Sequence, residues 1–204
     1  MPFPSHSFRR LLCLLCLLCC VSALQTQAAT IVLDAGHGGH DPGGIPGQRV
    51  SEKNAALDVA LRIQARLKAA GHRVVMTRSS DVFVELSERV AISNRTSGKP
   101  VFVSIHFNSA PNCDARGIET YHYDRRGAAL ANAIHSRVVR ASGGPNRGVR
   151  TARFYVLRFN KRPAVLAELG FLTNPQESAK VSRSDDYRQK LANAVADGIK
   201  AVVR

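Results

Sequence analysis

The chain has 204 residues, 45% of them hydrophobic and 22% charged, with no tryptophan and a formal net charge of +14. Four of its five cysteines, Cys13, Cys16, Cys19 and Cys20, fall in the first 29 residues and leave Cys113 alone in the rest. A disulfide-stapled scaffold is thereby excluded, so a core or a metal must hold the fold.

Residues 1–29 read as a signal peptide. "MPFPSHSFRR" is short and basic, "LLCLLCLLCCVSAL" is continuously apolar, and "QTQAA" supplies small residues for cleavage after Ala23, Ala28 or Ala29, with Ala28 and Ala29 favoured. The apolar run is shorter than the roughly 20 residues a transmembrane helix needs. Neither a lipoprotein nor a twin-arginine signal fits the flanking residues. What remains, residues 30–204, is long enough for one domain with a sizeable core. Without Arg9 and Arg10 it carries 27 basic against 15 acidic residues, an excess that favours acidic partners. With an export signal these are wall polymers or lipid headgroups rather than nucleic acid. The basic residues are spread through "YDRRG" and "NRGVRTARFYVLRFNKR", which equally describes a generally basic solvated surface.

"TIVLDAG" reads as a buried strand ending in a glycine turn. Ser51 is placed to cap a helix from Glu52 to about Ala70, with Ala56, Val59, Ile63 and Leu67 at helical spacing and Gly71 closing it. "HRVVMTR" is a strand. "LSERVAISNRTS" is a second helix with Leu86, Val90 and Ile92 turned inward. "PVFVSIHFN" and "GIETYHY" are strands, and "GAALANAIHSRVVRAS" is a helix stopped by Gly143-Gly144-Pro145. "RPAVLAELG" is a buried strand. The last helix starts near Ser184, with Tyr187, Leu191, Val195, Ile199 and Val202 on one stripe. This alternation predicts an α/β fold: a single-domain, twisted, mostly parallel sheet with helices on both faces.

In such sheets functional residues gather beyond the carboxyl ends of the strands. Asp34 and His37 follow the first strand, His106 and Asn108 end the third, and Glu168 ends the last. Glu52 opens the first helix after the glycine loop. A nucleotide loop is disfavoured: "GHGGHDPGG" matches neither GxGxxG nor a P-loop. A hydrolytic zinc site fits better, since two histidines and a glutamate leave a fourth position for water. His37, Glu52 and His106 supply that set, and Glu168 remains to move a proton. Each has a plainer reading. Glu52 alone is an ordinary first-turn glutamate, and a half-buried His106 could be neutral and hydrogen-bonded. His40 competes with His37. Glu168, inside an apolar run, is costly unless paired, metal-bound or shifted in pKa.

Five stretches, "IVLDAGHGGHDPGG", "SEKNAALDVA", "VFVSIHFNSA", "GIETYHY" and "RPAVLAELGFLTNPQE", resemble the zinc-dependent N-acetylmuramoyl-L-alanine amidases of the amidase-3 type. The resemblance covers essentially everything after Thr30. It implies one zinc ion held by His37, Glu52 and His106, with Glu168 as the catalytic glutamate. The implied substrate is peptidoglycan, cut between N-acetylmuramic acid and L-alanine, by a monomer in the periplasm or outside the cell, with no stable membrane anchor after signal cleavage. Asn108, Asn174 and His40 are candidates for substrate binding. The glycines around His37 would turn the chain sharply and leave room above the metal. Two departures stand out: Ala35 where the family usually has proline, and Phe107 where a small residue is common, which would narrow the groove. Some relatives carry a helix between "GIETYHY" and the next helix that plugs the site. Here only Asp124, Arg125 and Arg126 intervene, so no plug and no appended wall-binding module are expected. A stem-peptide peptidase and a non-catalytic wall-binding protein are the competing readings.

Overall fold

A computed structural model describes residues 28–46, 48 and 50–203. The signal-peptide reading falls, but for Ala28 and Ala29, outside the described residues. The strands are β1 (Thr30–Ala35), β2 (Arg73–Met76), β3 (Val101–Asn108), β4 (Ile118–His122), β5 (Asn146–Thr151) and β6 (Ala164–Phe171). The helices are α1 (Glu52–Ala69), α2 (Leu86–Arg95), α3 (Arg125–Ser142), α4 (Tyr155–Arg158), α5 (Pro175–Arg183) and α6 (Asp185–Lys200). No described helix is long and apolar enough to cross a membrane.

The strands form one sheet in the order β2-β1-β3-β6-β4-β5. Neighbours among β2, β1, β3 and β6 are parallel, β4 runs antiparallel to β6, and β5 is parallel to β4. The sheet is therefore mixed, mostly parallel, with a reversed pair at one edge. Alternate strand residues face opposite ways. Ile31, Leu33, Val103, Ile105, Val165 and Ala167 join α1, α3 and α6 in the larger core. Val32, Phe102, Ala164 and Leu166 meet Val90 of α2 and Val156 and Leu157 of α4 in a smaller one. The central strands are thus apolar on both faces, which is why they read as continuous hydrophobic runs.

The expected periodicity of α1 holds, with Ala56, Val59, Ile63 and Leu67 all fully buried. Ser51 occupies the N-cap position but its side chain caps nothing; its hydroxyl points back to the Pro42 carbonyl at 3.4 Å. α3 is capped by Asp124, which accepts from the Arg126 amide, and α6 by Ser184, which accepts from the Tyr187 amide. Leu86 is not turned inward: it is 53% exposed, because it is the first residue of α2 and the face of the sheet beneath it is left open. Val202 lies just beyond α6 and is also exposed. Only Tyr123 and Asp124 separate β4 from α3.

Candidate active site

Four strand ends and one helix start build the site. β1 ends at Ala35, and the chain turns through Gly36 to His37, which sits in the left-handed region at φ 60°. That conformation is uncommon for a residue with a Cβ and marks a position held by its surroundings. Two buried arginines do the holding. Arg78 donates to the carbonyls of Ala35 (2.9 Å), Gly36 (2.6 Å) and Lys53 (2.8 Å). Arg89 donates to the carbonyls of Ala35 (2.6 Å) and His37 (2.7 Å) and pairs with Asp34 at 2.7 Å. Asp34 also accepts from Thr77 and Ser104, both at 2.6 Å. Burial alone would raise the Asp34 carboxyl, but the Arg89 charge and these hydrogen bonds outweigh it and hold the group below its ordinary value.

Within this frame, His37, Glu52 and His106 bring one ligand atom each to within 4.8 Å of one another. Glu52 Oε1 lies 3.0 Å from His37 Nε2 and 2.9 Å from His106 Nδ1, and it accepts from the Phe107 amide at 3.1 Å. His37 Nδ1 meets Asp41 Oδ2 at 2.8 Å. A histidine anchored through one ring nitrogen by a carboxylate presents the other to a metal. Burial would raise Glu52, yet hydrogen bonds from His106 and His37 bring it down to about 2. Burial pulls His37 down, but its contacts with Glu52 and then Asp41 leave it raised.

The glycines have a specific role here. A Cβ at Gly36 would lie 2.3–2.6 Å from the His106 ring, and one at Gly43 would lie 2.7 Å from both Glu52 Oε2 and His37 Cδ2. The room they give up is filled by the ligand side chains themselves. The expectation of open space over the metal at these positions is corrected accordingly: the glycines let the ligands pack, and the open volume lies to one side. Two imidazoles and a carboxylate, pre-converged and with His37 anchored from behind by Asp41, are a donor set that fits zinc.

Glu168 stands beside this triad as the register partner of His106 across β3 and β6. Its Oε2 is shut off from solvent and has no hydrogen-bond partner among the described residues. Burial, then the negative charges of Glu52 and Glu119, push its pKa well above the ordinary carboxylate value. All four residues line one cleft of about 570 Å³. Its wall carries Phe83 and Leu86 ahead of and on α2, and Phe154 and Tyr155 at α4.

Of the remaining candidates, Asn108 lines the same cleft, donating from Nδ2 to Glu119 at 2.7 Å. His40 does not join the triad; its ring stacks at 4.1 Å on Phe83. Asn174 lies away from the cleft. It caps α5, accepting from the Gln176 and Glu177 amides at 3.1 Å each and donating to the Cys113 carbonyl at 2.9 Å. Cys113 is exposed and free. Phe107, marked as a residue that would narrow the groove, is fully buried in the larger core: it alternates with His106 and so points to the opposite face. Sequence reasoning passed over Asp41, Arg89 and Glu119. The signal for Arg89 was a charge one residue before the inward Val90.

Comparison with known proteins places this geometry. A family model described as N-acetylmuramoyl-L-alanine amidase matches residues 31–201. An uncharacterized protein of Bacillus subtilis, YqiI, is 38% identical over 185 residues, covering 88% of each chain. The N-acetylmuramoyl-L-alanine amidase LytC of the same organism is 38% identical over 173 residues, 83% of this chain but 34% of LytC. Among solved structures, the catalytic domain of the amidase CwlV from Bacillus (Paenibacillus) polymyxa var. colistinus superposes with a TM-score of 0.81 at 37% identity, covering 86% of this chain and 99% of that one. The amidase AmiC2 of Nostoc punctiforme gives 0.78 at 40% identity, covering 84% and 94%.

Proposed function

The chain belongs to the N-acetylmuramoyl-L-alanine amidase family, and from that premise we propose that it hydrolyses the amide joining N-acetylmuramic acid to the L-alanine of the peptidoglycan stem peptide. The observation that carries the proposal is the convergence of His37, Glu52 and His106 next to an acid/base carboxylate, Glu168, whose Oε2 has no other partner. His37 Nε2, Glu52 Oε1 and His106 Nδ1 would hold a single zinc ion. When bound, zinc supplies Lewis acidity that lowers the pKa of water to about 7 and polarises a carbonyl.

The rest of the chemistry falls to the chain. The Glu168 carboxylate takes a proton from the attacking water and delivers it to the departing L-alanine nitrogen. Its burial suits this, because a carboxylate raised in pKa is a stronger base and a competent acid near neutral pH. Asp41 fixes the His37 ring, and Asn108 faces the substrate from the β3 end of the cleft. The amidase relatives and the basic surface support action outside the cytoplasm, in the periplasm or secreted, after removal of residues 1–28 or 1–29. No element lies between β4 and α3 that could plug the cleft, so the purified protein should act without an activator.

Metal analysis together with an assay tests the assignment. Wild-type protein should bind one zinc per chain and release peptide from purified sacculi. His37→Ala and His106→Ala should lose both metal and activity. Full activity in metal-free protein would overturn the reading. Cleavage inside the stem peptide would favour a peptidase instead.

A further inference from the structure

The acid/base carboxylate of the cleft belongs to a row. His106 on β3 pairs with Glu168 on β6, and Glu168 pairs with Glu119 on β4. Register partners share a sheet face, so the three carry on from one another across the sheet. Arg147, on the edge strand β5, extends the row: its Nε donates to Glu119 Oε1 at 2.9 Å.

Glu119 is a buried carboxylate, only 4% exposed. Its other oxygen accepts from Asn108 Nδ2 at 2.7 Å and from the Tyr121 hydroxyl at 2.8 Å. It is therefore itself immobile, and it grips Arg147 from one side. From the other, the Arg147 guanidinium lies 4.9 Å over the Phe171 ring. A carboxylate at Nε and an aromatic face fix the plane of the fork. Yet Nη1 and Nη2 have no partner among the described residues, and the side chain is 37% exposed. An arginine that only neutralised Glu119 would not need its outer edge left open. The same strand carries Arg150, whose Nε and Nη2 reach only the Arg147 carbonyl among the described residues.

We propose that Arg147, pre-oriented by Glu119, is a subsite that binds a free carboxylate on the peptide part of the substrate. The proposal rests on the amidase reading above. A planar guanidinium edge fits a carboxylate with two parallel hydrogen bonds. In the substrate, the lactyl carboxyl of the muramic acid is consumed in the amide, so the negative charge near the scissile bond sits on the peptide. The spacing agrees. β5 lies two strands from β6, the strand of Glu168, and three from β3, the strand of His106, about 9.5–14 Å at the usual interstrand distance. An extended peptide advances about 3.3–3.6 Å per residue, which puts the carboxylate two to four residues beyond the scissile amide. The peptide would then cross the sheet from the metal towards β5, along the row.

The test compares two soluble substrates, muramoyl peptides that differ only in a free carboxylate or its carboxamide at the second residue, with further pairs differing at the third and fourth. The zinc-loaded wild-type enzyme should favour the acid of one pair by tenfold or more in kcat/KM, mostly through KM. Arg147→Ala should bring that ratio close to one, and Arg147→Lys should restore part of it. Removing Arg147 leaves Glu119 without its cation, so folding is checked by circular dichroism. A variant-free arm uses wild-type protein alone: the product peptide with the free acid should inhibit at least tenfold more strongly than its carboxamide. Equal turnover of acid and carboxamide in every pair, or a loss in Arg147→Ala that falls equally on both through kcat, would overturn the subsite. If wild-type enzyme cleaves none of the substrates at the muramoyl amide, the amidase reading fails, and the subsite with it.

Discussion

At the scale of single residues, the proposed chemistry rests on Glu168, which has no hydrogen-bond partner among the described residues while the carboxylates beside it are paired. Glu52 is shared by two histidines and a backbone amide; Glu119 has three donors. Glu168→Gln should therefore remove the base without disturbing the ligands: a loss of about 10²–10⁴ in kcat, with zinc stoichiometry unchanged. Loss of zinc along with activity would show that the residue is a ligand or a structural support. A pH profile gives a second check. A base must be ionised to act, and the Glu168 pKa is raised by burial and by Glu52 and Glu119. Activity is then lost as pH falls through the raised value, so the acidic limb of kcat/KM should lie above the ordinary 4.5. A limb at or below 4.5 would contradict the environment described for Glu168. That His37, Glu52, His106 and Glu168 come together in one cleft was legible in the sequence from strand ends and motif positions. What could not be read was pairing. Which of His37 and His40 joins Glu52 and His106 depends on Asp41 and on the stacking of His40 on Phe83, and both are contacts that spacing does not encode. Asn174 shows the converse: a motif residue whose amide is fully occupied in capping a helix.

At the scale of elements, the loop that carries His37 is fastened from beneath by a buried ion pair, in addition to its own hydrogen bonds. Asp34 of β1 binds Arg89 of α2, Thr77 after β2 and Ser104 of β3, joining three strands and a helix beneath His37. Breaking a buried pair from one side leaves an uncompensated charge, at a cost of about 3–5 kcal/mol. Arg89→Ala should lower the urea midpoint by that amount of stability, and it should weaken zinc binding by releasing the His37 carbonyl. A surface-like loss under about 1 kcal/mol would sink this view of the loop. The pH sign follows from the lowered Asp34 pKa. The stability it contributes is fully present above 3.8 and is lost as pH falls through the folded-state value. Long central elements were legible because their periodicities are strong: β1, β3, β6, α1, α3 and α6 all appear where their apolar patterns place them. Short edge elements were not. β5, "NRGVRT", has no buried face to give it an alternating pattern, and the four-residue α4 is too short for a helical period. The reversal of β4 was also hidden, because strand direction is set by the path of the connections and leaves no mark on composition.

At the scale of the whole molecule, the two cores divide the labour. The larger one, under α1, α3 and α6, is closed. The smaller one is covered only by α2 and α4, and where that cover stops the cleft begins. The face of the sheet that carries His106 and Glu168 thus lines the cleft, and only Tyr123 and Asp124 lie between β4 and α3. The purified protein should release peptide from sacculi with no added partner; silence until a second protein is supplied would contradict this. The excess of basic residues predicts that sacculus binding weakens as salt rises, since exposed charges are screened over about 10 Å at 0.1 M. Binding that does not change between low and high salt would assign retention to the cleft alone. Whether zinc at His37, Glu52 and His106, with Glu168, opens one particular amide is decided by mass spectrometry of the soluble products from purified sacculi. Intact stem peptides with a free L-alanine amino terminus are expected, released by zinc-loaded wild-type protein and absent with a chelator or with Glu168→Gln. Fragments cut within the peptide, or the same products from Glu168→Gln at the wild-type rate, would contradict this chemistry.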